Sequence, residues 1–346
     1  MATMTGDSGP TPLVVVGASA GGVEALRAFV AGLPTDLAAA VMIVLHVPAD
    51  APSALPAILA RVTSLPVRHA VHGSALEPGT VTVAPPNLHL MVIEGSIALT
   101  NGPQENGHRP AVDVLFRSAA RSAGRHTIGV VLSGSLDDGA AGAVAIATCG
   151  GRVMVQDSGE ALYASMPEAA ARAAGADASL PARSMGPVLA QWIDELEESP
   201  ATVSPAAPDT MTMEVDMADL DPESMHEPDR PGVPAGFGCP NCAGALFQID
   251  EGGLRRYRCR VGHAWSPESL LAQQTAAMES ALWMALRSLE EKAALNTDLG
   301  HRAATQGHDL TAGRFADSAR ETLHAAELVR RLIDELGSPV PETDAS

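Results

Sequence analysis

Between residues 13 and 196 the sequence repeatedly sets a short apolar run beside a longer segment of helical character. No other feature restricts the fold as strongly. The runs lie at 13–16, 41–45, 80–84, 88–93, 128–132 and 152–156. Most are rich in valine and isoleucine and lack polar residues at alternate positions, as strands do when both faces are covered. Helical segments lie between them at 22–31, 53–62, 112–123, 140–148, 167–174 and 186–196. This alternation predicts an α/β domain over 13–196 with a doubly wound, mainly parallel sheet and helices on both faces. From about 67 to 101, strands follow one another with no helix between, which predicts an antiparallel edge.

The rest of the chain has a different composition. Residues 197–234 are rich in Pro, Ser, Thr, Met, Asp and Glu without a period, and are expected to form an acidic, disordered linker. Residues 235–266 form a compact, cysteine-bearing module. Two apolar-periodic segments, 267–300 and 309–336, predict a helical hairpin over 267–337, with Ser266-Pro267 starting it and Gly337 ending it. Its first helix carries a stripe of Leu271, Thr275, Met278, Leu282, Ala285 and Leu289, with Trp283 and Met284 beside it. Residues 1–12 and 338–346 are expected to be flexible ends.

Charge narrows the function classes. The net charge is −19, and between Asp194 and Arg230 twelve acidic residues stand against one arginine. Such a chain is not expected to bind nucleic acid, whose phosphates call for a basic surface. No apolar run approaches the roughly 20 residues of a membrane-spanning helix, and the N-terminus lacks the basic start and apolar core of a signal peptide. The expected compartment is the cytoplasm, without membrane insertion.

The first strand ends in Gly17-Ala18-Ser19-Ala20-Gly21-Gly22. A serine between small residues lets a strand turn sharply into a helix and leaves its hydroxyl exposed at the turn. The same pattern also suits a phosphate-binding loop, but it lacks the third glycine of the dinucleotide fingerprint, and no acidic residue closes the second strand. His46 closes that strand instead. A later strand runs into Ser133-Gly134-Ser135-Leu136-Asp137-Asp138-Gly139. Serine, histidine and aspartate thus each follow the carboxyl end of a parallel strand, where active sites of open sheets gather. Serine needs a base, and the base needs a carboxylate to orient it. The order Ser…His…Asp differs from that of α/β-hydrolases.

Four motifs in order, Gly17–Gly22, His46-Val47-Pro48, His108-Arg109-Pro110-Ala111-Val112-Asp113-Val114-Leu115-Phe116 and Leu132-Ser133-Gly134 followed by Asp137-Asp138-Gly139-Ala140-Ala141-Gly142, resemble the catalytic domain of chemotaxis protein-glutamate methylesterases. The likeness covers nearly all of 13–196. It implies a serine hydrolase that removes methyl esters from glutamate side chains of chemoreceptors and also deamidates receptor glutamines. Ser19 is then the nucleophile, His46 the base and Asp138, directly before Gly139, the orienting carboxylate. Backbone N–H groups near Ala20, Gly21 and Gly22 and near Ser135 are the expected oxyanion donors. Arg109 has two readings, a contact to acidic receptor residues or a cap on the loop before the 112–123 helix. The implied partners are cytoplasmic helices of methyl-accepting chemoreceptors and other chemosensory proteins, and no catalytic cofactor is expected. The chain departs from the family pattern at Ala20, often threonine, and at Ser135-Leu136-Asp137, where many members read Met-Gly-Asn. With about 12 residues before the first strand, control by an attached receiver domain is not expected. The competing reading is a scaffold that kept the fold and acts through its C-terminal modules.

Cys239-x2-Cys242-x16-Cys259-x3-His263 has the spacing of a zinc ribbon. A segment of about 30 residues needs a metal or disulfides to hold together. A structural zinc on these four residues is therefore expected, against the alternative of unpaired thiols beside a chance histidine. Cys149 is read as a small buried hydrophobe, and His69, His72, His89 and His126 as structural or surface residues. His108 stands apart only through its motif.

Overall fold

The structure, a computed structural model, describes residues 11–50, 52–198, 204–226 and 232–337. In chain order it begins β1 (Leu13–Ala18), α1 (Gly22–Gly32), β2 (Ala40–Leu45), α2 (Leu55–Leu59), β3 (Val67–His69), β4 (Val81–Val83), β5 (His89–Ile93), β6 (Ser96–Thr100) and α3 (Val112–Ala123). It continues β7 (Thr127–Val131), α4 (Ala140–Thr148), β8 (Arg152–Gln156), α5 (Ser165–Ala174), β9 (Ala178–Leu180) and α6 (Met185–Glu198). Seven strands form one sheet in the order β3-β4-β2-β1-β7-β8-β9, every neighbouring pair parallel. The winding reverses between β1 and β7, so the crevice of this doubly wound sheet opens there.

The lack of alternation in the strands follows from their surroundings. Val14, Val16, Val41 and Ile43 pack with Leu26, Phe29, Leu189 and Ile193 of α1 and α6. Leu13, Val15, Met42 and Val44 pack on the other face with Val112, Leu115, Phe116 and Ile146 of α3 and α4. Both faces are therefore dry.

The expected antiparallel edge is not found. β3 and β4 join the main sheet in parallel, while β5 and β6 pair antiparallel as a separate two-stranded sheet. The crossover between β3 and β4 needs no helix because residues 70–80 return against that hairpin, where Gly73 N–H donates to the Ile97 carbonyl and Ala75 bridges Ser96.

The expectation of disorder across 197–234 also fails in part. α7 (Asp209–Ala218) and α8 (Pro222–His226) lie inside it. Met211 packs with the α3/α4 core, and Val215 and Ala218 pack with Met91, Ala98 and Val114. Positions 211, 215 and 218 form one helical stripe. It was hidden among Asp, Thr and Glu, and its partners come from far earlier in the chain. Residues 199–203 and 227–231 of this stretch, 1–10 of the N-terminal segment and all of 338–346 lie outside the described residues.

Next comes a four-stranded antiparallel sheet of β10 (Val233–Gly238), β11 (Ala245–Glu251), β12 (Leu254–Cys259) and β13 (Ala264–Trp265). Gly252 and Gly253 both have positive φ, 59° and 82°, as a two-residue hairpin turn between twisted strands requires. The chain then enters α9 (Pro267–Thr305), with Ser266 as its cap: the Ser266 hydroxyl accepts from Ser269 N–H at 3.0 Å.

Contacts divide the chain into two compact units, Met1–Leu270 and Leu271–Ser346. In the second, α9 and α10 (Asp309–Gly337) run antiparallel, tied by Asn296 to Ser318 at 3.1 Å and by the Arg330–Glu290 ion pair. Leu286, Ala293, Ala303, Ala319 and Ala326 are buried between them. Leu271, Thr275, Met278, Trp283, Met284 and Ala285 are exposed, and of the expected stripe only Leu282 and Leu289 are half-buried. The reason is length: α9 has 39 residues and α10 has 29, so α10 pairs with only part of α9.

Candidate active site

The central strands β2, β1 and β7 end level with one another: Gly17 lies beside Val44 and Val131, and Ala18 beside Leu45. Ser19 and His46 are the next residues beyond the edge, and Asp138 closes the loop after β7. His46 N–H donates to the Ala18 carbonyl, and Ser19 N–H to that of Ser133. Both functional residues thus extend the sheet ladder by one step.

The structure brings all three together. The Ser19 hydroxyl lies 3.1 Å from His46 Nδ1, and His46 Nε2 lies 2.8 Å from Asp138 Oδ2. The imidazole and carboxylate side chains are only 5% and 3% exposed, which shields their bond from water. An ionised Asp138 can only accept, so His46 Nε2 carries the proton and Nδ1 is left to take the serine's. Burial alone would raise the pKa of Asp138. The hydrogen bond and charge of His46, the ring of His108 and the Val112 N–H outweigh that and hold it well below the usual carboxylate range. Its two oxygens also accept from Val112 N–H (2.7 Å), Asp113 N–H (3.2 Å) and Asn106 Nδ2 (3.1 Å). The first two donors open α3, which places the helix's positive end on the carboxylate.

The glycines around Ser19 are required by space. A Cβ at Gly134 would come 2.0 Å from Met166 Sδ and 2.9 Å from Ser19 Cβ. Gly21 caps the start of α1 at φ 68°, a left-handed conformation that turns the chain two residues after Ser19. Gly22 N–H is taken by the Ser19 carbonyl at 2.9 Å. The N–H groups of Ala20, Gly21 and Ser135 have no acceptor among the described residues, which leaves them available as donors. Gly22 cannot.

The Arg109 contacts lie within neighbouring loops. Arg109 donates to Asn87 Oδ1 (2.8 and 3.1 Å) and to the carbonyls of Asn101 (2.9 Å) and Gly102 (3.0 Å). Its guanidinium knits these loops together. His89 is structural too: burial pushes its pKa down to about 4, Nε2 donates to the Pro103 carbonyl, and Nδ1 accepts from Ala111 N–H.

Two site residues escaped the sequence reading. His108 stacks on His46, and Asn106 bonds to Asp138. Both stand in or beside the 108–116 motif, the available signal, but nothing in that motif says which side chain reaches which partner.

In the C-terminal sheet, the turns after β10 and β12 bring Cys239, Cys242, Cys259 and His263 together, with ligand atoms all within 4.8 Å of one another. Cys242 Sγ is 3.6 Å from Cys259 Sγ, which lies 3.5 Å from His263 Nδ1. These separations match the edges of a tetrahedron around one metal ion. Burial opposes ionisation of Cys239, yet the Trp265 indole and the amides of Cys242 and Asn241 pull its thiol below the ordinary value. Burial and the neighbouring Cys239 and Cys242 push Cys259 up to about 12. Holding all three as thiolates at this distance would take a cation among them, so the donor set fits a metal ion.

The sheet is fastened to the domain beneath it by buried charges. Glu105, Arg117 of α3 and Glu214 of α7 meet Arg256 and Arg258 of β12. Arg258 reaches Glu105 at 2.8 Å and Glu214 at 3.0 Å, Arg256 reaches Glu214 at 2.7 Å, and Arg117 pairs with Glu105. Burial works against both carboxylates, but the arginines hold them below their ordinary pKa.

Comparison with known proteins agrees with this geometry. The chain is 36% identical over 186 residues to protein-glutamate methylesterase/protein-glutamine glutaminase 1 of Geobacter metallireducens, covering 53% of this chain and 51% of that protein. It is 40% identical over 181 residues to the corresponding protein 5 of Anaeromyxobacter dehalogenans, covering 51% and 50%. The chain therefore spans about half the length of the curated relatives it matches. The crystal structure of the Thermotoga maritima CheB methylesterase catalytic domain matches with a TM-score of 0.50 at 31% identity, covering 53% of this chain and 98% of that one. Residues 14–189, which hold the sheet, Ser19, His46 and Asp138, match the CheB methylesterase family model, and the chain belongs to that family.

Proposed function

We propose that this protein is a protein-glutamate methylesterase that also deamidates glutamine side chains, acting on the cytoplasmic helices of methyl-accepting chemoreceptors in a chemosensory pathway. The observation that carries this reading is the buried Ser19–His46–Asp138 relay at 3.1 and 2.8 Å, in a chain whose relatives carry both activities in their names.

Ser19 Oγ attacks the ester carbonyl while its proton passes to His46 Nδ1. Asp138 steadies the imidazolium through Nε2, and the N–H groups of Ala20, Gly21 and Ser135 are the donors proposed for the developing oxyanion. Collapse expels methanol, protonated by His46, or ammonia from a glutamine. Water then adds to the acyl-enzyme with His46 as base, releasing the glutamate carboxylate and restoring Ser19. Every step uses side chains of this domain, and none requires a cofactor.

Cys239, Cys242, Cys259 and His263 are read as ligands of a structural zinc ion. Four protein ligands leave no open position for chemistry, so the ion would close the turns of the sheet. Among the described residues no helix is long and apolar enough to cross a membrane, which agrees with action at the cytoplasmic ends of receptors.

The test is methanol release from a methylated receptor fragment by the full chain, with Ser19→Ala as control. Release by the wild type and at least a thousand-fold loss in the variant is the expected result. A wild type that binds receptor without releasing methanol would instead make it a scaffold. Metal analysis should find about one zinc per chain, lost in the Cys239→Ala, Cys242→Ala double variant.

A further inference from the structure

Asn106 is the point where the C-terminal sheet meets the triad. On one side its Nδ2 donates to Asp138 Oδ1 at 3.1 Å and Asp113 Oδ2 at 3.2 Å. On the other its Oδ1 accepts from Ser266 N–H and from the Ser269 hydroxyl, both at 2.9 Å. On the triad side ionised Asp138 can only accept, and on the far side the Ser266 N–H can only donate. An amide held between those two groups has one orientation. The donor that imposes it belongs to the segment that leaves β13 and starts α9.

The backbone is held in the same way. Asn106 N–H donates to the Ala264 carbonyl at 2.8 Å, Ala264 N–H to that of Gln104 at 3.3 Å, and Glu105 bridges Ala264 in parallel. Asn241, between the first two cysteines, donates to Gln104 Oε1 at 3.0 Å. Arg258, beside Cys259, clamps Glu105. Asn106 sits at φ 51°, in the left-handed region that asparagine tolerates best among residues with a side chain. The loop gripped here also carries His108 onto His46. Ala264 directly follows His263, so a metal ion at the cysteine–histidine cluster would fix the start of the strand that holds the loop.

We propose that Asn106 is a positioning residue for the triad and that the metal-closed C-terminal sheet keeps it in place, making this sheet a built part of the esterase site. Asn106 acts through Asp138 and touches no substrate. It orients the carboxylate toward His46 and takes up the lone pairs that His46 does not use. The proposal rests on the esterase reading of the triad given above.

The test uses the full chain and a fluorophosphonate that reacts with an activated serine, so no receptor is needed. Asn106→Ala should lower the maximal rate of Ser19 modification about 10- to 100-fold, with the half-saturating probe concentration unchanged. Ser269→Ala, which leaves every triad contact in place but removes one donor to Asn106 Oδ1, should lower it several-fold. Removing the metal with a chelator should do the same, reversed by zinc. The second readout is the downfield NMR resonance of the His46 Nε2 proton, which should move in all three samples while thermal melting shows each still folded. Unchanged rates in Asn106→Ala and in metal-free protein would overturn the proposal. So would a lower rate with the His46 resonance unmoved, because the effect would then be general loosening. If the wild type itself resists modification, the esterase reading fails, and the resonance alone decides whether Asn106 positions the triad.

Discussion

The ring of His108 lies flat on that of His46, centroids 3.6 Å apart and planes 12° from parallel. In the proposed reaction His46 becomes an imidazolium, and its neighbour cannot then also be charged without strong repulsion. Burial first, and His46 second, push the His108 pKa down to about 4, so the stacked ring stays neutral while His46 works. A flat neutral ring is what the position needs. His108→Phe should retain activity within about threefold, and His108→Ala should lose about tenfold by freeing the imidazole to rotate. Methanol release by the two variants checks this.

The same depression sets an acid limit on stability. His108 and His89 are both lowered from 6.5 to about 4. Between these values the unfolded chain binds protons that the folded chain refuses. Stability is therefore full above pH 6.5 and falls as the pH drops toward 4. From pH 7.5 to 5 each histidine should remove on the order of 2 kcal/mol. Urea unfolding midpoints at the two pH values, compared with His89→Phe, measure it.

Asp138 faces three N–H donors besides His46. In Asp138→Asn the amide must turn an NH2 toward some of them, leaving donors opposed and favouring the wrong His46 tautomer. Activity should fall on the order of ten-thousand-fold, and stability by about 1–3 kcal/mol. Serine labelling and thermal unfolding report the two separately.

Gly134 packs against Met166 and Ser19 at once. Met166 is fully buried and can yield only by repacking. Gly134→Ala should displace the nucleophile's backbone, costing about 1–3 kcal/mol in stability and, with a shift of about 1 Å, on the order of a hundredfold in rate. A variant as active as the wild type would show that Met166 simply moves aside.

Arg258 is shared by Glu105 and Glu214, each about 1% exposed. Arg258→Met removes a cation and leaves two buried carboxylates short of a partner. The expected loss is about 3–5 kcal/mol. Because the pair joins sheet, α7 and the 104–108 loop, proteolysis should also begin near residues 204–240. Denaturant unfolding and mapping of the first cleavage test both parts.

Much of this protein was legible as sequence. Strands covered on both faces read as unbroken apolar runs, so β1, β2, β7 and β8 stand out, whereas the half-exposed β3 and β9 have no such run. Ser19, His46 and Asp138 are visible because the proposed chemistry calls for these residue types at ends of strands, and the cysteine–histidine cluster because a ribbon needs two pairs at short spacing. The orientation of β3 and β4, the burial of α7 and the partners of His108, Asn106 and Arg109 were decided by tertiary structure alone. Each depends on a partner far along the chain: Val215 on Met91, Asn106 on Ser266, Arg109 on Asn87. Local pattern records what a segment can bury; only the folded chain supplies the surface that buries it or the group that completes its hydrogen bonds.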